Sequence, residues 1–258
     1  MKIKLSKIII IALLSGIAAQ IIFSVDRELS FDQAKKYPSG LFSDYSDVKI
    51  YRINSEKILE SIQNGEKNIF EPLEVDFSHD SSLVYKKPFS WSQSDYLTIV
   101  NTLHQYSLHE SLDDWSLLYF GFYGDCKYNP LGFDTIEVEY FKSVGLEYIT
   151  RKIGIYPLIE EVVIGDGATF PRMSLLGWQT ANPNNFIVEA NEALNLAENN
   201  GGKEFRLAID NECRIFVTFS PKRLTWEVSY SPNKQNLLSF EISIGVYGSI
   251  YKILDRND

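Results

Sequence analysis

The sequence predicts an α+β protein: an N-terminal transmembrane helix followed by two helix-on-antiparallel-sheet units. Three observations carry this. An apolar run sits behind a basic flank at the start of the chain, amphipathic helical stretches occur at 90–107 and 187–200, and each is followed by segments of strict apolar/polar alternation. The 258 residues, 45% of them hydrophobic, are enough to bury a sizeable core.

The start, MKIKLSKIIIIALLSGIAAQIIFSV, places Lys2, Lys4 and Lys7 ahead of an apolar run from Ile8 to Val25. That run is at the short end of what spans a bilayer. The lysines belong on the cytoplasmic side, and Asp26, Arg27 and Glu28 on the other. Residues 1–25 are therefore expected to be a signal anchor holding the chain, single-pass, in a bacterial cytoplasmic membrane through residues 8–25, with the remainder outside the cytoplasm. The alternative is cleavage after Ala18 or Ala19 and secretion. Residues 26–45, with Pro38, Ser39 and Gly40 among mixed charges, suggest a stalk.

Residues 46–170 form the first expected unit. VKIYRI (48–53) alternates as a strand, and SEKILESIQNG (55–65) follows as a short helix with Ser55 placed to cap it and Gly65 to end it. Residues 66–88 are extended and acidic. In SWSQSDYLTIVNTLHQYS (90–107), Ser90 and Gln93 have capping-box spacing, and Tyr96, Val100, Leu103 and Tyr106 make one apolar stripe. Strand patterns follow at 115–124, 135–141, 147–157 and 160–165, with Arg151 interrupting the apolar row of Ile149, Ile153 and Ile155. Residues 166–185 are loop-like and separate the units.

Residues 171–258 form the second. Ile187, Ala190, Leu194 and Ala197, with Ala193, give a narrow stripe of small residues that lets a helix lie close to a sheet. Gly201 and Gly202 end that helix. RIFVTF (214–219), LTWEVSYS (224–231) and LSFEISIGV (238–246) alternate as antiparallel strands with one wet face. The order of a helix and then several strands thus occurs twice, at 90–165 and 186–254, as a diverged duplication leaves it.

EALNLAENNGG (192–202), TWEVSY (225–230) and FEISIGVYGSIYKI (240–253) together resemble a PepSY-type domain, an Ala-rich helix before a Trp-x-Val strand and a closing hairpin. The resemblance implies a cystatin-like helix-on-sheet fold in a bacterial exported or membrane-tethered protein. It also implies a role in binding or restraining peptidases, without catalytic residues. The family's Asp and Thr-Gly near the final turn are absent; only Gly248 is kept.

Charge narrows the function further. The formal net charge is −9, and −12 without the three N-terminal lysines, so nucleic acid is excluded as a partner by repulsion. Cys126 and Cys213 are a candidate disulfide pair; two separate buried thiols are the alternative. LHQYSLHESLDD (103–114) gathers His104, His109, Glu110, Asp113 and Asp114, but histidines five apart diverge on a helix, and a polar helix exit describes the segment better than a metal site. Glu137 and Glu139 share a strand face at a spacing of about 7 Å, which suits an inverting glycosidase but reads first as a solvated face. Trp91, Trp115, Trp178 and Trp226 read as core, with Trp178 in a loop. Arg151 and Arg214 read as strand arginines paired with acids. GDG (165–167) and GGKEF (201–205) lack the remaining residues of nucleotide loops.

No catalytic, cofactor-binding or metal-binding residue is assigned. The expected function is that of a membrane-anchored, extracytoplasmic, non-enzymatic binding or regulatory protein, with an envelope or secreted peptidase as partner. The alternatives are an envelope hydrolase acting on glycan through carboxylates, with Trp178 and acids such as Glu110 or Asp113 in one pocket, and a structural envelope protein.

Overall fold

A computed structural model describes residues 48–73, 83–171, 182–183, 186–221, 223–234 and 239–255. The expected transmembrane helix (1–25), the stalk (26–45) and Trp178 lie outside the described residues. Among the described residues, no helix is long and apolar enough to cross a membrane.

Strands form where the alternation places them: β1 (Lys49–Arg52), β3 (Ser116–Asp125), β4 (Thr135–Val144), β5 (Glu147–Tyr156), β6 (Glu161–Asp166), β8 (Cys213–Ser220), β9 (Thr225–Pro232) and β10 (Phe240–Gly245). Three more, β2 (Glu71–Leu73), β7 (Phe170–Pro171) and β11 (Ile250–Asp255), complete the set. The helices are α1 (Ile58–Gln63), α2 (Gln93–Leu108), α3 (Ala190–Ala197) and α4 (Lys203–Ala208).

The expected division into two helix-on-sheet units, the second PepSY- or cystatin-like, is overturned. One eleven-stranded antiparallel sheet runs through all the described strands in the order β11-β10-β9-β8-β3-β4-β5-β6-β1-β2, with β7 on β5. The protein is mainly β. Out to four strands on each side the order is symmetric about the β3–β8 pair, and β1 and β2 extend the β6 end. Each half is a helix followed by a four-strand meander, and the meanders join through their first strands rather than closing separately. Phe120↔Phe219, Phe122↔Val217 and Gly124↔Ile215 set the register of that seam. An edge strand carries a row of unpaired backbone groups; joining the halves at β3 and β8 satisfies two such rows at once.

Alternation along the seam strands sorts their side chains into two faces. Phe120, Phe122, Ile215, Val217 and Phe219 are buried on the face that receives α2 and α3. Trp226 of β9 packs edge-on to Phe122 at 5.9 Å and to Phe219 at 5.7 Å, and its indole N–H donates to Val188 O at 2.8 Å. Its neighbours come from both halves of the sheet, so the two halves share one core.

Helix ends differ in detail from their sequence reading. Ser92, not Ser90, caps α2: its hydroxyl accepts from Asp95 N at 3.2 Å, and the Asp95 carboxylate accepts from Ser92 N at 2.7 Å. Gln93 is instead buried. Its side chain donates to Pro183 O at 3.1 Å and accepts from Ala190 N at 3.2 Å, tying the starts of α2 and α3 together. Ser55 does not cap α1; its hydroxyl donates to Pro157 O at 2.8 Å, and Asn54 Oδ1 accepts from Lys57 N. Gly201 does break α3, at φ 110°, but the chain re-enters a helix at once as α4. The kink is held by Glu198, which accepts from Arg206 Nε and from the Tyr230 hydroxyl, each at 2.8 Å.

Candidate functional site

The segment after α2 turns the chain from helix into β3, and its residues build one end of the sheet. His109 takes the left-handed C-cap position at φ 55°, where its backbone N–H donates to Gln105 O. His104 stays on the helix and is fully buried. Its Nδ1 lies 2.8 Å from Glu110 O. A carbonyl only accepts, so Nδ1 carries the proton and Nε2 presents a lone pair. Burial holds the His104 pKa below its ordinary value, opposed by the Glu110 carbonyl and helped by the positive charges of Arg151 and Lys142.

Glu110 leaves the histidines and pairs with Lys142 of β4 at 3.0 Å, a hydrogen bond that holds its carboxyl below the usual range. Asp114 reaches the same ammonium at 3.7 Å. The five polar residues of 103–114 therefore do not converge. Among the described residues, no group of three or more His, Cys, Asp or Glu side chains is placed to share a metal ion.

What the segment does build is a groove of about 360 Å³. Leu97 and Asn101 of α2 form one side, Leu112 and Asp113 of the turn another, and Trp115, Leu117 and Tyr140 line it from β3 and β4. Trp115 is 7% exposed and lies between two cationic side chains and a ring. The Arg151 guanidinium sits 5.4 Å from its centroid, the Lys142 ammonium 5.8 Å, and His104 meets it edge-on at 5.7 Å. Arg151 itself pairs with Asp166, the strand ion pair expected of it. Trp115 Nε1, His104 Nε2 and Arg151 Nε are buried without a hydrogen-bond partner among the described residues. A buried donor or acceptor left unmade costs about 1–3 kcal/mol, so this corner is under-satisfied as it stands.

Asp113 lies in the groove wall, but Glu110 does not, being held by Lys142. The hydrolase alternative joins such acids to Trp178, which lies outside the described residues.

The other sequence candidates are placed as follows. Cys126 and Cys213 are joined in a disulfide with Cα atoms 5.3 Å apart, and Cys126 N donates to Cys213 O across the β3–β8 seam. Arg214, one residue on, forms a two-pronged pair with Asp134 at 2.8 and 2.9 Å, and Tyr128 donates to the same carboxylate at 3.1 Å. Trp91 and Trp226 are core residues. Glu137 and Glu139 are not a solvated pair: Glu139 is 8% exposed and Glu137 is only partly exposed.

Sequence reasoning missed the groove because Leu97, Asn101, Leu117 and Tyr140 come from three elements whose contact depends on sheet register. The available signals were Trp115 at a helix-to-strand turn and, separately, Arg151 in an otherwise apolar row. No protein-family model, curated protein or solved structure matches this chain.

Proposed function

We propose that this chain is a non-catalytic binding protein of an oxidising, extracytoplasmic compartment. Its groove beside Trp115 receives a polypeptide segment of a partner, with an envelope or secreted peptidase as the leading candidate. The observation that carries the reading is the groove itself, a mainly polar concavity with Asn101, Asp113, Ser116 and Asn182 among its lining residues and Leu97, Leu112, Leu117 and Tyr140 between them. Concave sites with a few convergent polar groups are where ligands bind. Its size suits one or two side chains rather than an extended cofactor. The buried Cys126–Cys213 bridge supports the compartment, since disulfides persist where the surroundings oxidise thiols. The choice of partner rests on the sequence resemblance of 192–202, 225–230 and 240–253 to a PepSY-type domain alone, since the separate cystatin-like unit it implies does not form.

The test is site-specific photocrosslinking of the full-length chain in cells. A crosslinker at Asn101, exposed beside the groove, is compared with one at Glu204, exposed on α4. The proposal expects a discrete protein adduct from position 101 alone, lost when Trp115→Ala is added. Equal labelling from both positions, or an adduct indifferent to Trp115, would count against it.

A further inference from the structure

On the sheet face opposite α2 and α3, the register places glycines on both sides of one carboxylate. Gly121 of β3 is the Cα partner of Glu137 in β4, and Glu137 is in turn the partner of Gly154 in β5. Strand neighbours without side chains leave a trough around Glu137, and tyrosines lie down into it. A Cβ at Gly121 would meet the Tyr123 hydroxyl at 2.8 Å and also the Tyr119 hydroxyl; a Cβ at Gly154 would meet the Tyr156 hydroxyl at 2.8 Å. The glycines are thus what allows three rings to lie flat on the sheet.

The hydroxyls converge on the acid. Tyr119 and Tyr123 are hydrogen-bonded to each other through their hydroxyls, and Tyr123 donates to Glu137 Oε2 at 2.9 Å. The charged groups facing this cluster are few. Glu139 lies two residues along the same face of β4, Lys152 of β5 is opposite Glu139, and Glu161 of β6 is opposite Tyr156. The rings cover most of a carboxylate whose nearby charges include a second acid.

We propose that the Tyr119–Tyr123–Glu137 cluster is a proton-binding site, and that losing its proton loosens the tyrosine layer over Gly121 and Gly154. Burial raises the Glu137 pKa to about 7, and Glu139 pushes it the same way, while the Tyr123 hydrogen bond and Lys152 pull it down. In the protonated state the carboxylic acid sits neutral beneath the rings. In the ionised state the charge is relieved when Glu137 or its tyrosines turn out to water, where the carboxyl regains an ordinary affinity for protons. Linkage then fixes the size of the effect: for a closed-state value near 7 and an open-state value near 4.5, opening becomes about tenfold more frequent between pH 6 and pH 8.5. The face involved is not the one that bears the groove, so the inference stands apart from the binding proposal.

Two readouts on the whole protein test it. The first is the carboxyl carbon resonance of Glu137 followed by NMR, assigned by its absence in Glu137→Gln. The expected midpoint is near 7, and a midpoint below 5, with the surface glutamates, overturns the proposal. Tyr123→Phe is expected to raise that midpoint, because it removes the hydrogen bond that favours the ionised form. An unchanged or lowered midpoint would also overturn it. The second is hydrogen exchange at the amides of Gly121 and Gly154 at pH 6 and 8.5, with Glu137→Gln as the reference for the intrinsic effect of pH. An excess loss of protection of about tenfold in the unmodified protein is expected; equal behaviour of the two proteins refutes the loosening.

Discussion

Replacing both cysteines, as Cys126→Ala with Cys213→Ala, removes the covalent part of the seam while leaving its main-chain ladder. The bridge spans a sequence separation of 87, which contains β4 through β7, α3 and α4. Loop-closure entropy for a loop of that length amounts to about 4–5 kcal/mol at 25 °C, and removing native bridges costs about 2–5 kcal/mol in practice. Both sulfurs are almost fully buried, so the alanines add a small void to that loss. A total of about 4 kcal/mol is expected. At a urea dependence of about 2–3 kcal/mol per molar, this lowers the unfolding midpoint by about 1.5 M. The Cys126 N–H to Cys213 O bond and the Asp134–Arg214 pair survive the substitution, so the far-ultraviolet circular dichroism of the folded variant should match the parent. The assay is paired urea titration of the two proteins, with the parent's oxidation state verified by thiol labelling before and after unfolding. A midpoint shift below about 0.4 M, equivalent to about 1 kcal/mol, would refute the argument that this bridge restrains the unfolded chain.

Three further outcomes follow from named contacts. Gly202→Ala places a Cβ 2.7 Å from the Tyr230 ring and 2.9 Å from Ala197 O, a clash partly with backbone, and should cost about 1–3 kcal/mol in a thermal or urea melt. Asp134→Ala strips Arg214 and Tyr128 of their acceptor and should cost about 2 kcal/mol, where Asp134→Asn, which keeps one acceptor oxygen, should cost less. For His104, the folded pKa is lowered, so the sign runs with the unfolded chain taking up the proton first. Its contribution is complete above the unfolded value of about 6.5 and is lost as pH falls below it, a decline that His104→Gln should flatten between pH 6.5 and 5 in stability measured against pH.

Alternation made the strands legible because side chains of period two mark a face wherever one side is buried, as Leu224, Trp226, Val228 and Tyr230 do. Alternation says nothing about which strand lies beside which. The β3–β8 pairing rests on contacts about a hundred residues apart, such as Phe120 with Phe219, and no local signal distinguishes it from the closure of two separate sheets. The same limit hid the environment of Glu137. Its position two residues from Glu139 reads as a wet strand face, and only the register reveals Gly121 and Gly154 beside it with tyrosines folded over them. Helix punctuation was legible only to within a turn, since Ser90, Ser92 and Ser94 all offer a hydroxyl and the acid that completes the box is Asp95. The two cysteines were visible as a candidate pair. Their approach to within 5.3 Å depends on the ends of β3 and β8 coming together.

That union of β3 and β8 is the claim on which the shared core, the bridge and the placement of the groove all depend. Native-state hydrogen exchange at the amides of Phe120, Phe122, Val217 and Phe219 addresses it most directly. In a continuous sheet these are interior positions, so they should be among the slowest to exchange and should open together with the global unfolding free energy. Exchange at these amides at rates typical of an open sheet edge, with protection confined to the outer strands of each half, would contradict the account.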